Sequence, residues 1–397
     1  MTAPAEAHDA AAAAAAGLRL DYDVIVVGAG IMGSCAAHAA ASRGAHTLLL
    51  ERFDLLHQLG SSHGDSRIIR DAYVKAQYPP WCASPAAFRV PRAHPCPAPL
   101  HGPARQRRAP RRRQERRRGG GGPKPDVGRR VPGTGGRRGG GVLNATKAVA
   151  MFQALAVKMG AVVRDNAEVV DISKGPGPEG GVVVTTSAGE VFRGAKCVVT
   201  VGAWTSKLLR SVAGVEIPIQ PLHTLTLYWR IKPGRERGLT AKAGFPTFSS
   251  YGDTPVYGTP SLELPGLIKI SCDGGPPCDP DNRDWASGDR EITDRVARWI
   301  QEFMPGHVDS AGGPVIRQSC ICSMTPDKDF VIDWLGGEFG EDVVVGAGFS
   351  GHGFKMGPAV GRILAEMAID GEARTAAEAG VELGHFKINR FNGNKDN

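Results

Sequence analysis

The chain has 397 residues, enough for one large two-lobed unit or roughly two or three smaller domains. Its formal charge of +8 is misleading: residues 105–138 hold fourteen Lys/Arg against two acids, Glu115 and Asp126, a local +12 that leaves −4 elsewhere. Outside that window the balance is that of an ordinary enzyme, which argues against nucleic acid as the partner; the absence of an apolar run of about 18 residues argues against a membrane span.

Residues 1–20 are alanine-rich with one basic residue, Arg19, and fit neither a transit peptide nor a signal peptide, so they read as a disordered leader. Asp23-Val24-Ile25-Val26-Val27 is a buried-strand run. Gly28-Ala29-Gly30-Ile31-Met32-Gly33 then opens an alanine-rich helix pattern to about Arg43, and a second strand covers Thr47 to Glu51. This is a βαβ unit. Gly28 permits the tight turn, Gly30 lets the backbone approach a pyrophosphate and Gly33 lets helix and strand pack closely. Glu51, 23 residues after Gly28, stands where a carboxylate accepts hydrogen bonds from a ribose. The fingerprint alone leaves NAD and FAD open.

Beyond Gly141 the α/β signal resumes. A helix is expected over Ala145 to Met159, a strand over Ala161 to Arg164, and short strands ending in Lys196-Cys197-Val198-Val199-Thr200-Val201. Alternating patterns at Leu225-Thr226-Leu227-Tyr228-Trp229 and Leu267-Ile268-Lys269-Ile270, with a helix from Glu291 to Phe303, indicate a mixed lobe on an antiparallel sheet. A strand from Asp342 to Val345, a glycine-rich loop from Gly346 to Gly353 and a helix from Gly357 to Ile369 follow. Eight scattered cysteines make no disulfide framework, and Cys320 with Cys322 matches no standard zinc spacing, so no metal site is expected and a reducing compartment is. The terminus Lys395-Asp396-Asn397 is not of the Ser-Lys-Leu type, which leaves cytoplasm or peroxisome.

The cofactor question turns on Gly60-Ser61-Ser62-His63-Gly64-Asp65-Ser66-Arg67-Ile68-Ile69-Arg70, which resembles the loop after the second strand in the monomeric sarcosine oxidase and pipecolate oxidase family of FAD-dependent amine oxidases. Val201-Gly202-Ala203-Trp204, Thr325-Pro326-Asp327, Ile332-Asp333 and Gly348-Phe349-Ser350-Gly351-His352-Gly353-Phe354-Lys355 are similar to the same family in the same order. The resemblance covers about 22–78 and 142–391. It implies an α/β chain: an FAD-binding Rossmann-like lobe assembled from 21–78, 142–216 and 319–372, a mixed α+β substrate lobe over 217–318 with an antiparallel sheet, and a C-terminal extension, 373–397.

The resemblance implies site residues as well. Cys320 matches the cysteine that tethers the flavin as a thioether, and Cys322, two residues on, shares its face if the segment is extended. Arg70 and Lys355 match the pair that holds the substrate carboxylate. His63 and Arg67 match residues beside the flavin, Lys269 the lysine that promotes reaction with oxygen, and Tyr257 and His352 site-lining positions. Val169, Gly202, Trp204, Gly351, Gly353 and Phe354 fall at cofactor-contacting positions. Asp273 departs from the pattern, for relatives often place a histidine there and a carboxylate would repel the substrate's. The implied reaction oxidises a secondary amino acid such as sarcosine, pipecolate or another N-methyl amino acid to the imine, with oxygen as acceptor and hydrogen peroxide as product. The implied protein is a monomer.

The resemblance fails from about 81 to 139, inside an Arg/Pro/Gly-rich stretch, 79–141, with almost no apolar periodicity. Three readings compete: a basic arm whose Arg111-Arg112-Arg113 and Arg116-Arg117-Arg118 bind nucleic acid, a solvated insertion, or coding sequence read in the wrong frame. The letters support the third. Relatives read Tyr-Pro-Pro-Met-Val where this chain has Tyr78-Pro79-Pro80-Trp81-Cys82. Trp is TGG, so CCA-TGG-TGC contains ATG-GTG, Met-Val, in another frame. A frameshift or misassigned exon would remove apolar faces that the substrate lobe needs, and the chain would then be a non-catalytic flavoprotein remnant.

Overall fold

The computed structural model describes residues 20–69, 75, 77–78, 141–176, 180–251, 254–283 and 289–394. The leader through residue 19, Arg70 and the Arg-rich stretch through residue 140 lie outside these.

Strand β1 (Tyr22–Val27) buries Val24, Ile25, Val26 and Val27 on both faces, which only a central strand can do. Helix α1 (Ile31–Ala41) follows, then β2 (Thr47–Leu50), fully buried, and the short β3 (Arg67–Ile69) and β4 (Gly141–Leu143), which pair antiparallel. Asn144 caps α2 (Ala145–Lys158): its side chain accepts from the Lys147 N–H at 2.9 Å. Next come β5 (Val162–Arg164), β6 (Val169–Lys174), β7 (Val182–Thr186) and β8 (Val191–Val199), and α3 (Thr205–Ala213), ended by Gly214 in the left-handed region. Strands β9 (Gln220–Arg230), β10 (Phe248–Tyr251), β11 (Pro255–Gly258) and β12 (Leu267–Cys272) lead to α4 (Asp289–Phe303) and β13 (Ile316–Met324). The chain closes with β14 (Val331–Trp334), β15 (Val343–Ala347), α5 (Gly357–Asp370) and α6 (Arg374–Glu378).

Besides the β3–β4 pair, two sheets organise these elements. The first runs β14-β15-β8-β1-β2-β5, with β6 and β7 attached through β8. Its centre, β15-β8-β1-β2-β5, is parallel, and α1, α2 and α5 pack on it through Met32, Phe152 and Ile363. The second is antiparallel, β10-β11-β12-β9-β13. Its alternation sets its two faces. Leu225, Leu227 and Trp229 of β9 and Ile268 and Ile270 of β12 join Ile292, Val296, Trp299 and Ile300 of α4 in one core. The opposite face carries Thr224, Thr226 and Tyr228 of β9, Lys269 of β12, Tyr257 of β11, and Cys320 and Cys322 of β13, by the register of the strands. A sheet with a polar inner face is built to roof a site.

The fold is the α/β arrangement expected, with shifted element edges. The first helix begins at Ile31, after the glycine turn, and the last strand extends through Gly346 and Ala347, which sequence assigns to a loop. β13 stays in the antiparallel sheet to Met324, so a domain line between 318 and 319 cuts through a strand; one between 141 and 142 cuts through β4. A backbone ladder is invisible in single-chain periodicity when the partner strand lies some hundred residues away.

Candidate active site

The site starts at the end of β1. Gly28 turns with φ +95°, and a Cβ there would come within 2.7 Å of the Thr200 carbonyl oxygen. A Cβ on Gly33 would sit 1.8 Å from the Gly28 oxygen, so α1 meets the turn at a distance only glycine allows. Glu51 is buried at the end of β2 and accepts from the Ala29 N–H at 2.8 Å and the Phe53 N–H at 3.2 Å. Ser62 Oγ accepts from the Ile31 N–H at 3.1 Å, tying the loop after β2 to the start of α1.

From here one cavity of about 860 Å³ runs under the antiparallel sheet. Gly28, Gly30, Glu51, Val169, Gly202 and Trp204 line one part of it; His63, Arg67, Tyr257, Lys269 and Cys320 line another, with Gly351, His352, Gly353, Phe354 and Lys355 of the loop after β15. Residues from separate segments of sequence thus meet in a single space. Gly33 does not line it and acts through packing; Arg70 lies outside the described residues.

The reactive part is electrostatically tuned. Arg67 donates to the backbone carbonyls of Ser61 (3.1 Å), His63 (2.7 Å) and Ser66 (3.0 Å), and its guanidinium lies 5.6 Å from the Phe354 ring centre. Burial alone would push the Cys320 thiol up, but hydrogen bonding to His63 and the charges of Arg67 and His63 hold it down to about 6. Cys322, on the same face, is pushed up to about 12 by burial and by the neighbouring Cys320 and Asp273. The pair that sequence leaves interchangeable is therefore split into a thiolate and a thiol. Lys269 is buried, donates from Nζ to Ser66 O (3.0 Å) and Ser66 Oγ (3.2 Å), and is lowered to about 7 by burial and by Arg67, against the pull of Glu263, Cys320 and Asp65.

Other predicted residues serve partly as structure. His352 Nε2 lies 3.0 Å from the Lys328 carbonyl, and its ring packs against Tyr78 and Phe330, at 4.8 and 4.7 Å between centres. Burial raises the Tyr257 phenol well above its ordinary range. Lys355 is buried in a 3₁₀ turn, Phe354–Met356. Asp273 lines the cavity, and its N–H donates to the Pro255 carbonyl at 2.9 Å.

Sequence reasoning missed a clasp at the cavity wall. Asp281, from the loop after β12, accepts from Trp204 Nε1 (2.7 Å), Arg52 Nη1 (2.8 Å) and Lys207 Nζ (2.6 Å). Burial opposes its ionisation, yet these partners hold its carboxyl at about 2. It missed Asp329 as well, which accepts from Tyr78 Oη (2.8 Å) and pairs with Lys75 (2.8 Å). Neither has a local signal, because every partner is remote in sequence.

The cradle fits FAD: a glycine turn no Cβ could enter, a carboxylate at the end of β2, and an anionic thiol and buried cations under the sheet. Residues 23–367 match the FAD dependent oxidoreductase family. The chain belongs to this family. It is 47% identical to a probable sarcosine oxidase of Arabidopsis thaliana, over 94% of this chain and 93% of that one, and 32% identical to the peroxisomal sarcosine oxidase of Homo sapiens, over 93% and 96%. Its fold is similar to that of L-proline dehydrogenase from P. horikoshii, with a TM-score of 0.64 at 18% identity, over 95% of this chain and 99% of that one. Family membership makes the chain an FAD-dependent oxidoreductase by descent. Among the described residues, no helix is long and apolar enough to cross a membrane.

Proposed function

We propose that this chain oxidises the C–N bond of a secondary amino acid, such as sarcosine, pipecolate or another N-methyl amino acid, to the imine, with oxygen as acceptor and hydrogen peroxide as product. The observation that carries the proposal is the pairing, in one cavity, of a dinucleotide cradle with a Cys320 thiolate held near 6 beside Arg67 and His63. The similarity to sarcosine oxidases across nearly the whole chain supports the substrate class.

FAD supplies the two-electron acceptor when bound. Gly28, Gly30, Glu51, Val169, Gly202 and Trp204, with Gly351, Gly353 and Phe354, are the cavity-lining residues that would hold it. Cys320 is the residue that would hold it covalently, its sulfur being the nucleophile available beside Arg67 and His63. Lys355, with Arg70, holds the substrate carboxylate, while Tyr257 and His352 shape the pocket. Arg67 and His63 would place positive charge beside the bound group and favour its taking up electrons. Lys269 serves oxygen, as a buried cation poised near neutral pH. The protein acts as a monomer, in the cytoplasm or a peroxisome.

The Arg-rich stretch over residues 81–139 favours a second reading, a remnant that does not turn over. One experiment separates the two. Purified full-length chain is expected to be yellow and to release peroxide with sarcosine or pipecolate. A colourless protein that gives no peroxide with any secondary amino acid establishes the remnant.

A further inference from the structure

The loop after β12 crosses from the antiparallel sheet to the nucleotide end of the cavity, and its root and tip are held in different ways. The root is fixed by backbone. Pro276 O accepts from the His223 N–H at 2.9 Å and the Cys278 N–H donates to Pro221 O at 3.0 Å, while a Cβ on Gly275 would stand 1.7 Å from His223 O, so the root lies hard against the start of β9. The tip, residues 279–283, reaches the parallel-sheet side through side chains. Asp279 Oδ1 accepts from the Asp281 N–H at 2.8 Å, which folds the tip into a turn. Asp281 then accepts from Arg52, which follows β2, and from Trp204 and Lys207, which follow β8. Lys207 also pairs with Asp279, and Arg283 Nη2 donates to Leu59 O at 3.0 Å. Arg52, Trp204, Lys207 and Asp281 all line the cavity, and the Arg52 guanidinium lies 5.0 and 5.7 Å from the ring centres of Phe53 and Trp204. The side chains of Asp281, Arg52 and Lys207 are 31%, 34% and 46% exposed. Ion pairs this open to water are individually weak, so the tip can part from its partners while the root stays in place.

We propose that residues 279–283 are a strap that closes the nucleotide end of the cavity, with Asp281 as its catch, and that FAD enters and leaves only when the catch is open. The inference rests on membership of the FAD dependent oxidoreductase family and not on amine oxidation, so a chain that takes up FAD without turning over tests it equally well. Asp281 is a positioning residue, since the partners that hold it are protein side chains. Weakening the catch raises the open fraction without removing a contact to the cofactor, so uptake and release accelerate by the same factor while the closed state dominates. A residue that only bound the cofactor would change release and leave uptake alone. Charge gives a second distinction, because the pyrophosphate makes FAD an anion. If steering were all that these residues did, losing the Asp281 charge would speed uptake and losing the Lys207 charge would slow it. Opening a catch has the same sign for both.

The experiment uses full-length chain carrying Cys320→Ser, so that bound flavin is free to exchange. Uptake of radiolabelled FAD, and its release into an excess of unlabelled FAD, are timed by rapid desalting. Asp281→Asn is expected to raise both rates by about tenfold, the effect of weakening a charged hydrogen bond, with Kd unchanged. Lys207→Met is expected to raise both by a smaller factor in the same direction. The Lys207 side chain is nearly half exposed, so this variant reports even if Asp281→Asn fails to fold. Faster release with unaltered uptake would overturn the strap and make the clasp part of the binding surface. Uptake that rises in Asp281→Asn and falls in Lys207→Met would overturn it in favour of steering, and rates equal to the parent's in both variants would reduce it to a structural tie. A parent that takes up no FAD also overturns the strap, whereas one that takes up FAD but oxidises no secondary amino acid overturns only the activity proposed above.

Discussion

The two ends of the cavity are built on different principles. At the nucleotide end, Gly28, Gly33 and Glu51 lie within 24 residues of one another, and what they contribute is shape: a turn, a close approach and one carboxylate at a strand end. At the reactive end, His63 and Arg67, Lys269 and Cys320 come from three distant segments, and the charge of Lys269 and Cys320 is set by burial together with neighbouring groups. A contact such as Lys269 to Ser66 spans 203 positions. Shape encoded locally tolerates no added atom, whereas charge encoded at long range is sensitive to single charged neighbours.

The largest expected difference separates two thiols at the reactive end. Cys320→Ser should release all the flavin on acid precipitation, and Cys322→Ser none, because the first is held near 6 and the second near 12. Acid-stable absorbance in the pellet is the measurement. Retention in Cys320→Ser with loss in Cys322→Ser would transfer the tether and show that charge does not choose between them.

Next in size is the proposed carboxylate clamp of Lys355 and Arg70. Lys355→Met should lower kcat/KM for a secondary amino acid by a factor corresponding to about 2–5 kcal/mol, the cost of stranding one member of a buried charge pair. Folding, followed by circular dichroism, should change far less. Unaltered kcat/KM takes Lys355 out of the site.

How much was legible in advance follows the same division. The βαβ unit, its glycines and Glu51 could be read from spacing, since strand, turn and helix each leave a local period. The membership of Lys269 and Cys320 in the site came only through resemblance. Nothing in Leu267-Ile268-Lys269-Ile270 distinguishes a tuned lysine from a surface one until Tyr228 and Ser66 are placed beside it. The split between Cys320 and Cys322 was illegible for the same reason, because it depends on His63, 257 residues earlier, lying against one sulfur and not the other. The frame reading of 81–139 rests on sequence alone. A transcript with Met-Val after Tyr78-Pro79-Pro80 supports it, and a peptide spanning Arg105 to Arg118 removes it.

At the nucleotide end, Gly33→Ala should cost about 3 kcal/mol, the upper part of the range for overpacking, because the atoms it meets are the Gly28 carbonyl at 1.8 Å and Thr200 Oγ1 at 2.5 Å, and a backbone cannot step aside. Urea denaturation gives the number. Flavin loading should fall, and in the chain left without flavin Cys320, not consumed by a tether, should be alkylated near neutral pH, since nothing at position 33 contributes to the thiolate. Loss of both together would mean the two ends are not separable.

The remaining effect is a slope rather than a step, small over any one pH unit. Lys269 is held at about 7 in the folded protein against an ordinary 10.5, so between those values the unfolded chain binds more protons than the folded one. Stability contributed by this site therefore rises with pH across that window. Below about 7 both states carry the charge and the full cost of burying it is felt; above about 10.5 both are neutral and the cost vanishes. Lys269→Met removes the titration, so the variant should gain most over the parent at the acid end of the window, with the gap closing by up to about 1.4 kcal/mol per pH unit as pH rises. Urea midpoints of both proteins across the window test this. Curves that stay parallel would mean that Glu263, Asp65 and Cys320 offset the burial of Lys269 completely, and the reactive end would then hold an ordinary lysine.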